Sequence, residues 1–149
     1  MPTQATQAYR LQQKDGAEYW YLTEKLFNHL RVFHARCVRA MCRVNRWHTR
    51  RHRVSTTELL GRTGLCTIDA YVSKRQLRWA GHVARMQFDG LPRKMLSAWV
   101  TEKRPVGAPE FTYGRGLYKT LKKAEIDREN WFVEAQDREG WRDMIAKVL

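Results

Sequence analysis

Apolar residues recur along most of this chain at three- and four-residue steps, and no strict alternation lasts long enough to suggest paired strands. The first such row, Leu26, Leu30, Phe33, Cys37, Met41 and Val44, predicts a helix starting at Thr23. Arg36, Arg39 and Arg43 lie well over a quarter-turn from that row, and Arg46 and Arg50 extend the basic row if the helix runs on. Leu and Phe on one side with Arg on the other predict a helix that docks on a core and offers its guanidinium groups outward.

"STTE" at 55–58 fits a capping box, and Gly64 is a natural stop for the short helix that follows. Thr67 then caps a helix whose apolar row is Ile68, Val72, Trp79, Val83 and Met86, with Lys74, Arg78 and Arg85 at a different angle. Gly81 falls near that basic row, where a missing side chain lets another backbone come close. Asp89-Gly90 predicts a turn, and Pro92 suits the start of another helix. "KRPVGAPE" at 103–110 cannot be regular structure and is the best internal boundary. Beyond it, Leu117, Tyr118 and Leu121 predict a helix carrying Lys119, Lys122 and Lys123. Asp127 is a candidate cap for a segment with Trp131 and Ala135, and Trp141, Ile145 and Leu149 form a last apolar stripe. The expected architecture is all-α, a bundle of short helices. A loose leader (1–14) precedes a basic helical domain (15–100), a linker (101–112) and a C-terminal helical lobe (113–149).

Charge changes the picture most. Lys and Arg total 28 against 15 Asp and Glu in 149 residues, a formal charge of +13. Such an excess repels itself unless a polyanion neutralises it, and nucleic acid is the first candidate. Residues 125–149 hold seven acids against four bases, so the first 124 residues carry +16. From Arg31 to Arg53 there are eight Arg and no acid. Arg can fork a phosphate and stack on a base. The candidate contact residues are Arg36, Arg39, Arg43, Arg46, Arg50, Arg51, Arg53, Lys74, Arg75, Arg78, His82, Arg85, Lys103 and Arg104. Trp79 lies on the apolar row and reads as core before it reads as a base-stacking platform; His82 reads as a boundary residue as readily as a phosphate contact. Three Cys with no secretory apolar segment point to a reducing, intracellular compartment, nuclear or cytoplasmic. No apolar run is long enough for a membrane span, and no membrane partner is expected.

Metal and catalytic chemistry fit poorly. His34, Cys37, Cys42, His48 and His52 fall within nineteen positions, and zinc accepts two Cys and two His. The gap from Cys42 to His48 is too short for a two-stranded finger, and Cys37 lies on the apolar row, so no metal or other cofactor is expected. Two-metal polymerase or nuclease chemistry needs clustered carboxylates, whereas Asp69, Asp89, Glu102 and Glu110 are scattered; no catalytic residues are expected. Thr56–Arg62, the Gly64 turn and the helix from Thr67 also have a helix-turn-helix outline, with Lys74, Arg75 and Arg78 available for bases; a stand-alone DNA-binding protein is therefore the alternative reading.

An ordered series of segments resembles one family. "GAEYWYLTEK" (16–25), "LRVFHARCVRAM" (30–41), "TTELLGRTGL" (56–65), "RQLRWAGHVARM" (75–86), "LPRKML" (91–96), "KRPVGAP" (103–109), "TYGRGL" (112–117) and "WFVEAQDREGWRDMI" (131–145) together look like the region downstream of the palm in non-LTR (LINE-type) retrotransposon reverse transcriptases. The resemblance implies a thumb-like and post-thumb helical region that grips template RNA or template–primer. The family's catalytic Asp residues lie upstream, so this chain would be a non-catalytic piece whose partners are RNA or DNA and the remainder of a reverse transcriptase. Two departures stand out. Gly107-Ala108-Pro109 replaces a common Gly-Arg-Pro, removing a basic contact, and Asp15 stands where a Tyr is common. A frame that opens at Met1 without a palm fits a truncated or decayed element copy.

Overall fold

The computed structural model describes Gly16, residues 22–101 and residues 113–148, with the side chains of 97–101 left out. The expected leader, Lys103, Arg104 and nearly all of the expected linker lie outside the described residues. Among the described residues there are eight helices and no strand, so the fold is all-α. They are α1 (Glu24–Met41), α2 (Arg46–Arg51), α3 (Thr56–Thr63), α4 (Ile68–Ala84), α5 (Leu91–Thr101), α6 (Tyr113–Lys123), α7 (Trp131–Glu134) and α8 (Arg138–Lys147).

The starts follow from side-chain oxygens that take up otherwise unpaired helix N–H groups. Thr23 accepts from Leu26 N at 3.4 Å, Asn45 from His48 N at 2.6 Å, Ser55 from Glu58 N at 3.1 Å and Thr67 from Ala70 N at 3.2 Å. Only the Ser half of the expected capping box forms: Glu58 pairs with Arg62, one turn on, at 2.6 Å.

The stops share one design. At the ends of α1, α2, α3 and α6, a residue in the left-handed region is followed by an apolar one whose N–H returns to the last turn. The left-handed residues are Arg43 (φ 54°), Arg53 (φ 50°), Gly64 (φ 62°) and Glu125 (φ 57°). The returning bonds are Val44 to Arg39 at 3.0 Å, Val54 to Thr49 at 3.1 Å, Leu65 to Leu60 at 3.2 Å and Ile126 to Leu121 at 3.0 Å. Each of these apolar residues then packs into a core cluster. The first helix does not run on. The chain turns at Arg43, and Arg46 and Arg50 belong to a separate helix.

Two compact units divide inside α4, between Tyr71 and Val72. In the first unit, Val38, Leu59 and Leu60 are buried together, with Met41, Cys42, Val44, Val54 and Leu65 against them. This places the buried face of α1 on His34 and Val38, about 80° around from the predicted row at 100° per residue. Leu26 and Phe33 are instead 47% and 58% exposed. The row was misread because a buried His is not scored as apolar. Arg31 also lies toward this buried side and forks Asp69 on α4, with its Nε at 2.9 Å from Oδ2, while Glu24 takes Nη1 at 2.6 Å.

The second unit has a larger core of Leu77, Ala80, Val83, Ala84, Leu96, Leu117, Leu121, Ile126, Trp131, Ala135, Trp141 and Ile145. Leu96 and Leu117, on either side of residues 102–112, therefore share one core. The buried Gln76 and Thr120 satisfy each other, the Thr hydroxyl donating to Oε1 at 2.9 Å. Trp79 is half-buried and packs edge-on against Tyr113 at 5.2 Å. Gly81 does admit a close neighbour, but it is the Trp141 indole and not a backbone.

Candidate nucleic-acid interface

The basic residues of the first unit stand out against its small core. α2 is six residues long, reads RWHTRR, and buries none of them. A helix this short has no stability of its own in water, and this one gains none from burial. It is held at its ends by the Asn45 cap, the Arg53 stop, and the packing of Val44 and Val54 on the core. The segment thus presents Arg46, Trp47, Arg50 and Arg51 to solvent. Arg36, Arg43 and Arg53 are exposed as well, and Arg39 is half-buried. Among the described residues no carboxylate pairs with any of these seven Arg. Asp69 and Glu24 are taken by Arg31, whose guanidinium is driven further up from its ordinary range by those hydrogen bonds, first of all the one to Asp69.

Arg43 and Arg53 occupy backbone positions that suit Gly or Asn. A β-carbon in the left-handed region costs about 1–2 kcal/mol per residue. Two Arg in such positions, ten residues apart in "CRVN" and "HRVS", place long side chains at sites where the backbone would prefer no β-carbon.

The basic residues predicted on α4 fare differently. Arg78 and His82 are exposed. Lys74 is half-buried with Nζ 3.4 Å from the carbonyl of Ala146 in α8, and Arg75 is half-buried and already engaged. Arg85 donates to the carbonyl of Ala135 at 2.6 Å, and Gln136 returns a bond to the carbonyl of Ala84 at 3.0 Å. Lys74 and Arg85 therefore meet the last carbonyls of helices, where a cation is favoured.

The zinc candidates are not gathered. Cys37 is part-buried, and burial pushes its thiol up, away from the thiolate a metal needs. The Cys42 thiol points to the carbonyl of Leu59 at 3.8 Å. His48 and His52 stack on each other with ring centres 4.3 Å apart on the exposed helix. Among the described residues no group of three or more His, Cys, Asp or Glu could hold a metal ion.

Sequence reasoning passed over Trp47. It is 64% exposed, and the Arg51 guanidinium sits 5.3 Å from its ring centre. The available signal was an aromatic inside an arginine run, with Arg43, Arg50 and Arg51 at three or four residues' distance. A second basic face lies on α6, where Lys119 and Lys122 are exposed beside Tyr118 while Leu117, Thr120 and Leu121 face inward. Arg128 covers the Tyr118 ring at 4.6 Å.

Fold and surface together define a strongly basic, all-helical protein with an arginine-rich helix displayed outside its core. The chain is similar to a putative uncharacterized transposon-derived protein of Caenorhabditis elegans, 27% identical over 137 residues, which cover 89% of this chain and 49% of that protein. The chain thus spans about half the length of the curated relative it matches. No family model matches the chain, and no solved structure does. No helix among the described residues is long and apolar enough to cross a membrane.

Proposed function

We propose that this chain is the non-catalytic, nucleic-acid-gripping part of a transposon-encoded reverse transcriptase of the non-LTR type, binding RNA or template–primer phosphates through the Arg residues of α1, α2 and the turns after them. The observation that carries this reading is α2 itself, a capped helix that buries nothing and displays three Arg and a Trp. Its likeness to a transposon-derived protein supports a transposon-related origin, and the ordered segments from 16 to 145 support the polymerase type. The chain carries out no nucleotide chemistry of its own; the catalytic carboxylates belong to a palm that would be its natural partner, inside the cell.

Binding of the full chain to RNA and DNA oligonucleotides, measured by fluorescence anisotropy across a salt series, tests this. Each phosphate neutralised adds about 0.9 to the logarithmic salt slope on duplex DNA and about 0.7 on single strands. Replacing Arg46, Arg50 and Arg51 with Gln should flatten the slope by roughly two units while helicity stays the same. A chain that binds no polynucleotide in dilute buffer does not have this function.

A further inference from the structure

Trp47 is a large apolar ring on a helix that contributes nothing to the core, so packing does not account for it. At 100° per residue, Trp47, Arg50 and Arg51 fall within an arc of about 100° on one side of α2. We propose that this face binds single-stranded nucleic acid, with an unpaired base stacked on Trp47 and the flanking phosphates held by Arg50 and Arg51. The inference rests on the polyanion-binding reading above and narrows it to strands whose bases are free.

The chemistry favours a single strand for two reasons. An indole offers one N–H donor and no acceptor, so it cannot read the donor–acceptor code of a duplex groove. It does offer a flat π surface, which any unpaired base can cover, and in a duplex those base faces are already stacked. Cations beside the ring are where a backbone threading past a stacked base would put its phosphates. Arg51 lies over the ring at 5.3 Å and would pass between the indole and a phosphate as the base arrives.

The test uses the full chain with labelled oligonucleotides of one length in three forms: single-stranded, blunt duplex, and a strand of abasic sites with the same phosphates and no bases. Wild-type protein should bind the single strand about tenfold or more tighter than the abasic strand. Trp47→Ala should lose most of that preference, weakening single-strand binding about tenfold while changing duplex and abasic binding by less than about twofold. Trp47→Tyr should keep most of it, because its ring also stacks. Circular dichroism of each variant should match the parent, since Trp47 supports no packing.

Equal loss on all three forms, or no loss on the single strand, overturns the stacking role and leaves phosphate binding intact. Failure of the parent chain to bind any of the three overturns both readings. An RNA series run beside a DNA series shows which sugar the strand carries.

Discussion

The indole of Trp141 lies across the bare α-carbon of Gly81, and its Nε1 donates to the carbonyl of Leu77 at 3.0 Å. A β-carbon at position 81 would overlap Nε1 and Cδ1 of that ring. Gly81 thus serves as a notch for the Trp141 ring of α8. Trp141 in turn closes the core of the second unit beside Trp131, their ring centres 6.3 Å apart. Gly81→Ala gains helix propensity but must displace a buried ring and its hydrogen bond, so a net loss of about 1–3 kcal/mol is expected. In a Trp141→Leu background the same change should cost clearly less. Urea unfolding of the four proteins gives the coupling directly, and additive losses would mean that the two residues do not meet as described.

On the proposed function, Arg43 and Arg53 set stability against binding. Replacing either with Gly relieves a left-handed backbone and should raise stability by about 0.5–1 kcal/mol, read as a higher urea midpoint. The same variants should bind polynucleotide less tightly and with a shallower salt dependence. A destabilised Arg43→Gly would show that the side chain, not the turn, holds the end of α1.

His34 gives the first unit a pH response. It is buried on α1, and desolvation pushes its pKa below the ordinary 6.5, with Asp69 opposing in part. The folded state therefore resists protonation, while the unfolded chain takes up a proton as pH falls through 6.5. Above that pH this group has no effect; below it, stability should decline with falling pH until the folded-state value is passed. His34→Gln should flatten the dependence between about pH 7 and pH 5, the range where an ordinary His titrates. Thermal or urea melts of the two proteins across that interval make the comparison.

Purified chain given primer–template, deoxynucleotides and Mg²⁺ should extend no primer. Among the described acids of its basic body, Asp69 and Glu24 are both held by Arg31, and Asp89 pairs with Lys94 at 2.9 Å, so none is set to hold a catalytic metal pair. Any extension product on a sequencing gel would mean that carboxylates outside this description do the work.

Much of the fold can be read from the sequence because helix ends are local chemistry. Thr23, Ser55 and Thr67 cap where their hydroxyls predict, and Gly64 stops a helix as Gly does. What escapes the sequence is non-local or disguised. Arg43 and Arg53 stop helices without looking like stops, so a break at Met41 is invisible to a rule that waits for Gly or Pro. The buried side of α1 is marked by His34, which reads as polar. Lys74 and Arg85 look like free cations until α8 and the turn after α7 bring carbonyls to them. Trp47 runs the other way, an aromatic exposed on a helix that buries nothing.

Val44 and Val54 fasten α2 at both ends, and nothing between them is buried. Recognition and foldedness are therefore written in different letters. On the proposed function, the outward residues of α2 can change to suit the strand they hold while the frame underneath keeps its shape. Change at either valine would instead loosen the frame, because each packs an end of α2 onto the core.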